Sequence, residues 1–269
     1  MKKILVSLLF VCVLVFSVNH SIDAGPRAER SDSILKVGAT PVPHSVLLAL
    51  IRDDLAAQGI TLELVEFTDF VTPNMALQAG DIDANYFQHV PYLETNPEWA
   101  AQFVPVFGVH VEPFGLYSSR FNNISELPDN AIIAIPNDPT NGGRALLLLQ
   151  ANGLITLREG AGLRATSRDI ASNPRNFRFR ELEAPQLPRS LQDVDAATIN
   201  GNFAMQAGFN PVRDSLIIEG AESPYVNVVV VRRGMENDPR ITALKNVLLS
   251  QKVRDFINAT YDGGVVPAF

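Results

Sequence analysis

Two short stretches carry the side chains best suited to chemistry. In Gly80 to His89, GDIDANYFQH, two acidic residues alternate with small and apolar ones and run into Tyr86, Phe87, Gln88 and His89. Alternation along Ile82 to Phe87 sends Ile82, Ala84 and Tyr86 to one face and Asp83, Asn85 and Phe87 to the other, so a purely structural strand needs two faces that accept aromatic rings. A ligand pocket at the strand's end accounts for them better. The second stretch is Pro139-Thr140-Asn141-Gly142-Gly143-Arg144. Here Asn141 is expected to cap a helix, and the glycines let the backbone approach a ligand that the helix N-terminus would favour if anionic. Arg144 falls in that first turn, where the dipole disfavours a cation unless it meets an anion. A guanidinium there suits a carboxylate gripped by two parallel hydrogen bonds, and pairing with a surface acid is the structural alternative.

Other constellations lead to fewer chemistries. The loop lacks Gly-Lys-Ser or Gly-Lys-Thr, which argues against nucleotide phosphate, and the chain has no Gly-x-Ser-x-Gly elbow. His110-Val111-Glu112 matches half of a zinc deaminase motif whose cysteine half is missing. Of four histidines one lies near the N-terminus, and the rest are too dispersed in sequence to suggest a metal site. His44, after Pro43, reads as a helix-start residue. Asp81, Asp83, Asp193 and Asp195 could be paired carboxylates of a two-lobed hydrolase or transferase, yet each pair precedes a strand, as turn acids do. The expectation is a binding protein with no catalytic group, no metal and no cofactor.

The elements around these stretches alternate. Ile34 to Val37 reads as a strand, Ser45 to Ala57 as an amphipathic helix closed by Gln58-Gly59, Thr61 to Phe67 as a second strand and Pro73 to Gln78 as a short helix stopped by Ala79-Gly80, before the DIDA strand. The plan recurs: Ala131 to Ile135 is a strand, Pro136 to Gly143 a loop, and Arg144 to Ala151 a helix ended by Asn152-Gly153. Asp193-Val194-Asp195-Ala196 then opens a strand running into Thr198 to Phe203. The match of DIDA to DVDA suggests two α/β lobes whose loops meet at a cleft.

Composition sets outer limits. With 269 residues, 46% apolar and 19% charged, the chain can bury one large core or two smaller ones. A net charge of -7, with 22 scattered basic residues, argues against nucleic acid. Lys2 and Lys3 followed by the apolar run Ile4 to Val18 read as an export signal, too short to span a bilayer comfortably. Two endings compete: cleavage after Ala24, giving a signal of residues 1–24, or lipidation at Cys12, whose preceding Leu9-Phe10-Val11 is a poor lipobox. Residues 25–33 form a polar tether. A product without Cys12 has no cysteine at all.

The stretches FTDFVTPNMALQAGDIDANYFQHVPYLE, IAIPNDPTNGGRALLLLQANGLI and ATINGNFAMQAGF resemble the methionine-binding lipoprotein family of the NlpA type, over essentially Ile34 to Phe269. That resemblance implies an α/β, two-lobed periplasmic binding protein fold with a ligand cleft between lobes. It also implies a monomer that captures L-methionine and hands it to an ABC permease and its ATPase subunit, in the periplasm or at the membrane. By the same resemblance Phe70, Tyr86, Phe87 and His89 wall the side-chain pocket, Arg144 holds the ligand carboxylate, and Asn202 and Asn227 anchor the amino and carboxylate groups, with Asn141 in the NGGRA loop. Phe70 stands where many members have tyrosine. D-methionine, a methionine-containing dipeptide or another apolar amino acid would satisfy the same groups. Residues 34–112 with 228–269 are expected to form one lobe and 113–227 the other, hinged at Phe107 to Tyr117 and Ser223 to Val229.

Overall fold

The computed structural model describes residues 33–220 and 223–269. The signal of residues 1–24, Cys12, cleavage after Ala24 and the tether up to residue 32 lie outside the described residues. Among the described residues no helix is long and apolar enough to cross a membrane.

Two sheets organise the chain. The first has six strands: β1 (Ile34–Ala39), β2 (Thr61–Glu66), β3 (Ala84–His89), β4 (Phe103–Val111), and, after a long excursion, two strands from the C-terminal part. The excursion builds a five-stranded sheet from β5 (Gly115–Tyr117), β6 (Ile132–Pro136), β9 (Arg178–Leu182), β10 (Ala196–Ile199) and β11 (Ile217–Ile218), with a small ribbon of β7 (Thr156–Leu157) and β8 (Ile170–Ser172) beside it. The chain then returns through β12 (Val226–Arg232) and β13 (Val266–Pro267). The orders are β13-β4-β12-β3-β1-β2 and β11-β5-β10-β6-β9. Within them β1 runs parallel to β2 and β3, and β6 parallel to β9 and β10.

Both faces of the first sheet are covered, which explains the sequence of its central strands. Val229 and Val231 pack with Val37, Tyr86 and Leu48 on one side, while Val228 and Val230 pack with Phe87, Leu77 and Phe103 on the other. A strand buried on both sides reads as a continuous apolar run, as in Val228 to Val231, rather than as an alternation. The same constraint corrects the reading of GDIDANYFQH. The strand starts at Ala84, every residue of it is buried, and it does have two aromatic-accepting faces. Each large side chain so buried contributes roughly 1.5–3 kcal/mol.

The aspartates before β3 and β10 have matching structural work. Asp83 accepts the Lys36 N–H at 2.9 Å and gives its own N–H to the Lys36 carbonyl at 2.8 Å. Asp195 does the same with Ile132, at 2.8 and 3.0 Å. Each pair sits one residue ahead of the first parallel pairing, Val37 with Ala84 and Ile133 with Ala196, so each carboxylate closes the end of a parallel ladder.

Other boundaries move for identifiable reasons. The helix expected over Ser45 to Ala57 is a π-turn at Pro41–Ser45 followed by Val46–Leu50 and Arg52–Ala56, interrupted at Ile51. The C-terminal part holds two helices, Pro239–Leu248 and Gln251–Thr260, with the extended Ser250 just before the second. The helix carrying Arg144 begins early, at Pro139, because Asp138 rather than Asn141 is its N-cap and accepts the Asn141 N–H. Asn202 lies in the first turn of a helix, Gly201–Gln206, not along an extended strand.

Gly142 and Gly143 admit the protein's own chain instead of a ligand. A Cβ on Gly142 would lie 2.9 Å from the Pro136 carbonyl oxygen, and one on Gly143 would lie 2.3 Å from that of Leu163. Gly143→Ala is therefore expected to cost about 1–3 kcal/mol through overpacking against backbone. Urea unfolding should show a lowered midpoint, and an unchanged midpoint would mean that the Gly162–Arg164 turn shifts freely.

Candidate functional site

Between the two sheets lies a narrow cavity lined by residues of both. One side is built by the first sheet and its loops: Phe70, Phe87, Gln88, His89, Tyr92 and Asn227. The other is built by Asn141, Arg144, Asn200, Gly201 and Asn202, with Glu112 where the chain passes between sheets. Of the residues expected there, Phe70, Phe87, His89, Asn141, Arg144, Asn202 and Asn227 all line it. Tyr86 does not: its ring is fully buried against His44 in the sheet's other face, and its hydroxyl bonds His110 Nδ1.

A backbone irregularity separates these neighbours. Between β3 and β12, Gln88 faces Val228 and Tyr86 faces Val229, so Phe87 is an extra residue in its strand. Such a bulge re-aims side chains, and here Phe87, Gln88 and His89 all reach the cavity although simple alternation would split them. The aromatic wall is completed by Tyr92, whose ring centroid lies 5.9 Å from that of Phe70 and 6.2 Å from that of Phe87. The Tyr92 hydroxyl donates to the Phe70 carbonyl at 2.8 Å and fixes the loop.

Arg144 is only 4% exposed. Its Nε donates to Glu219 Oε1 at 2.7 Å, its Nη2 donates to Glu219 Oε2 and, at 3.0 Å, to the Glu112 carbonyl. The guanidinium lies 4.1 Å from the ring centre of Tyr225. The two-pronged edge expected to grip a ligand is thus occupied by Glu219, and Nη1 is the nitrogen without a partner among the described residues.

The histidines that are dispersed in sequence come together in space. His44 and His110 place Nε2 at 3.4 and 2.9 Å from Glu112 Oε1. The three ligating atoms lie within 4.8 Å of one another. The same atoms are engaged in hydrogen bonds: as a carboxylate, Glu112 accepts the His110 Nε2–H and the Asn202 main-chain N–H, the His44 Nε2–H goes to Asn227 Oδ1, and hydroxyls of Thr40 and Tyr86 meet the Nδ1 atoms. His44 Nε2 also lies 3.1 Å from Asn227 Oδ1, so the Asn227 amide must turn its NH2 toward the cavity.

Burial depresses the imidazole pKa values to about 4 for His44 and about 3 for His89 and His110, with the Arg144 charge adding to the effect at His89. Burial raises Glu112 and Asp138, which the surrounding donors partly offset. His89 Nδ1 accepts the Tyr92 N–H at 3.1 Å, leaving Nε2–H to face Asn141.

Two buried polar atoms at the cavity have no partner among the described residues: Asn202 Nδ2, a donor, and Asn200 Oδ1, an acceptor. Buried polar groups are normally paired, so two orphans of opposite sense at one cavity call for a ligand carrying both complements. Asn200, Tyr92, Tyr225 and Glu219 escaped the sequence reading, which noticed Glu112 only as half of a metal motif. Asn200 and Tyr92 carried a usable signal, being two and three residues from the chosen positions Asn202 and His89. Glu219 had none.

Two α/β sheets with a polar cavity between them have the form of a two-lobed substrate-binding protein, the class to which the relatives of this chain belong. The chain belongs to the NlpA lipoprotein family, whose profile matches residues 35–269. It is 44% identical over 243 residues to the D-methionine-binding lipoprotein MetQ of Salmonella typhimurium, covering 88% of this chain and 89% of that one. The nutrient binding protein of Burkholderia cenocepacia bound to methionine has a TM-score of 0.84 at 40% identity, covering 87% of this chain and all of that one. An ABC transporter periplasmic substrate-binding protein of Coxiella burnetii has a TM-score of 0.83 at 42% identity, over 87% of this chain and 100% of its own.

The protonation pattern is open to direct measurement. Imidazole 15N and 13C shifts should show His44, His89 and His110 neutral down to pH 5, each as the Nε2–H tautomer. Because their folded pKa values lie below the unfolded value of 6.5, the unfolded chain binds more protons below that pH. Each then removes about 1.4 kcal/mol of stability per pH unit until its folded pKa is approached. The raised Glu112 and Asp138 act in the opposite sense. Protonated rings at pH 6 would refute the network.

Proposed function

We propose that this protein is an extracytoplasmic receptor that captures L-methionine in the interlobe cavity and delivers it to an ABC permease driven by its ATPase subunit. The observation that carries the reading is the pair of orphaned amide atoms, Asn202 Nδ2 and Asn200 Oδ1, set beside Arg144 at the end of an aromatic wall. A zwitterion supplies both complements. Its carboxylate would take hydrogen bonds from Asn202, from the Asn227 NH2 and from Arg144 Nη1, and its ammonium would donate to Asn200. Phe70, Phe87 and Tyr92 would receive the side chain. A thioether suits such rings, each contact contributing roughly 0.3–1.5 kcal/mol. Tyr86 supports the cavity from behind. Arg144 already has a counter-ion in Glu219, so it does not require a net negative ligand.

D-methionine is the second reading, favoured by the name of the Salmonella relative. Both enantiomers present the same three groups, and the Asn200 and Asn202 positions have to choose between them. The lipoprotein naming of the family further supports attachment to the membrane through a lipidated cysteine.

Isothermal titration calorimetry of the purified protein with each enantiomer tests the reading. One-to-one binding of L-methionine is expected, with Arg144→Ala weakening it about 30-fold to several thousandfold, equivalent to roughly 2–5 kcal/mol. Tighter binding of the D form would transfer the proposal to it, and no heat with either would overturn it.

A further inference from the structure

We propose that Asp138 is a positioning residue that acts through Asn141 to turn the side-chain oxygen of Asn200 toward the ligand's ammonium group. This rests on the reading of the cavity as an amino-acid site. Asp138 is absent from the cavity wall itself and has a structural duty as the N-cap of helix Pro139–Ala151. A carboxylate can only accept, so whatever amide stands next to it must present its NH2. Asn141 does so, with Nδ2 at 3.1 and 3.0 Å from the two carboxylate oxygens.

That contact fixes the other end of Asn141. Its Oδ1 accepts from Asn200 Nδ2 at 2.9 Å and lies 3.4 Å from His89 Nε2. The His89 contact is an independent check on the orientation, because Nδ1 of that ring already accepts from Tyr92 and Nε2 therefore carries the hydrogen. With its NH2 committed to Asn141, Asn200 leaves Oδ1 at the cavity, buried and unpaired among the described residues. The two ends of an amide are nearly alike in shape and opposite in polarity. One carboxylate, relayed through one asparagine, thus decides whether the cavity offers an acceptor or a donor at this point. An acceptor suits an ammonium group, whereas an NH2 group would repel it.

Asp138→Asn tests the relay with little damage to the helix, since asparagine caps as well as aspartate. The new amide can give or accept, so Asn141 is then oriented only by the longer His89 contact. Asp138→Ser, another good cap, provides a second variant should the first fail to fold. The ligands are L-methionine and 4-(methylthio)butanoate, which keeps the carboxylate and thioether but lacks the ammonium. Calorimetry should show the wild-type preference for methionine over the deaminated acid shrinking about tenfold in Asp138→Asn, through weaker methionine binding. In an Asn200→Ala background the same change should alter the preference no further, because the end of the relay is gone. A direct pull of the Asp138 charge on the ammonium would persist in that background and would overturn the proposal. So would equal weakening of both ligands, or an unchanged preference. Wild-type protein that binds neither compound overturns the amino-acid reading, and this inference with it. Wild-type binding with no change of preference in the variants overturns this inference alone.

Discussion

The buried carboxylate of Glu112 is the interaction on which the polar half of the cavity depends. Its side chain gathers His44 and His110 from the first sheet's side and the Asn202 main-chain N–H from the other, while its own carbonyl takes a hydrogen bond from Arg144. A buried charge is tolerated only when its hydrogen-bonding capacity is filled, and here the donors that fill it come from both sides of the passage between sheets. Close approach is part of the same constraint. A Cβ on Gly201 would lie 2.8 Å from the Glu112 Cβ, so glycine at that position lets the helix N-terminus reach the carboxylate.

From this anchor the orientation of the surrounding amides follows by donor and acceptor logic. His44 fixes Asn227 with its NH2 inward, and Asp138 through Asn141 fixes Asn200 with its oxygen inward. The cavity is polar at one end and aromatic at the other because these relays end where Phe87, Phe70 and Tyr92 begin. Glu219 completes the arrangement from behind by taking the forked edge of Arg144, which neutralises a buried cation and directs the remaining nitrogen. Preorganised polar groups of this kind limit the ordering cost of binding.

Much of the architecture was legible in residue order. The repeat of DIDA and DVDA marked two equivalent turns, and in both the second aspartate closes the start of a parallel ladder. The glycines at 80 and 153 marked helix ends, with left-handed backbone at both. Seven of the eight expected site residues line one cavity. Tyr86 was expected in the pocket by resemblance, whereas plain alternation had already set it on the face opposite Phe87, where it lies; the bulge at Phe87 affects the next residue, bringing Gln88 to the cavity beside Phe87. Asn141 was taken for a helix cap because a run of Asn-Gly-Gly looks like a loop. The helix starts at Pro139 behind the Asp138 cap, and both glycines lie inside it, close to the Pro136 and Leu163 carbonyls.

The sequence by itself determined the elements and the two-lobed plan, because these depend on local propensity, spacing and apolar pattern; Phe70, Asn202 and Asn227 were assigned to the cleft by family resemblance. Only the tertiary structure decided polarity and partnership. That Glu219 lies against Arg144 from 75 positions away, that His44 joins the nearby pair His110 and Glu112, and that two amide atoms are left unpaired are consequences of chain crossings that no local signal encodes. Hydrogen-bond direction is a property of the completed network, since an amide can be satisfied either way until a fixed carboxylate removes the choice.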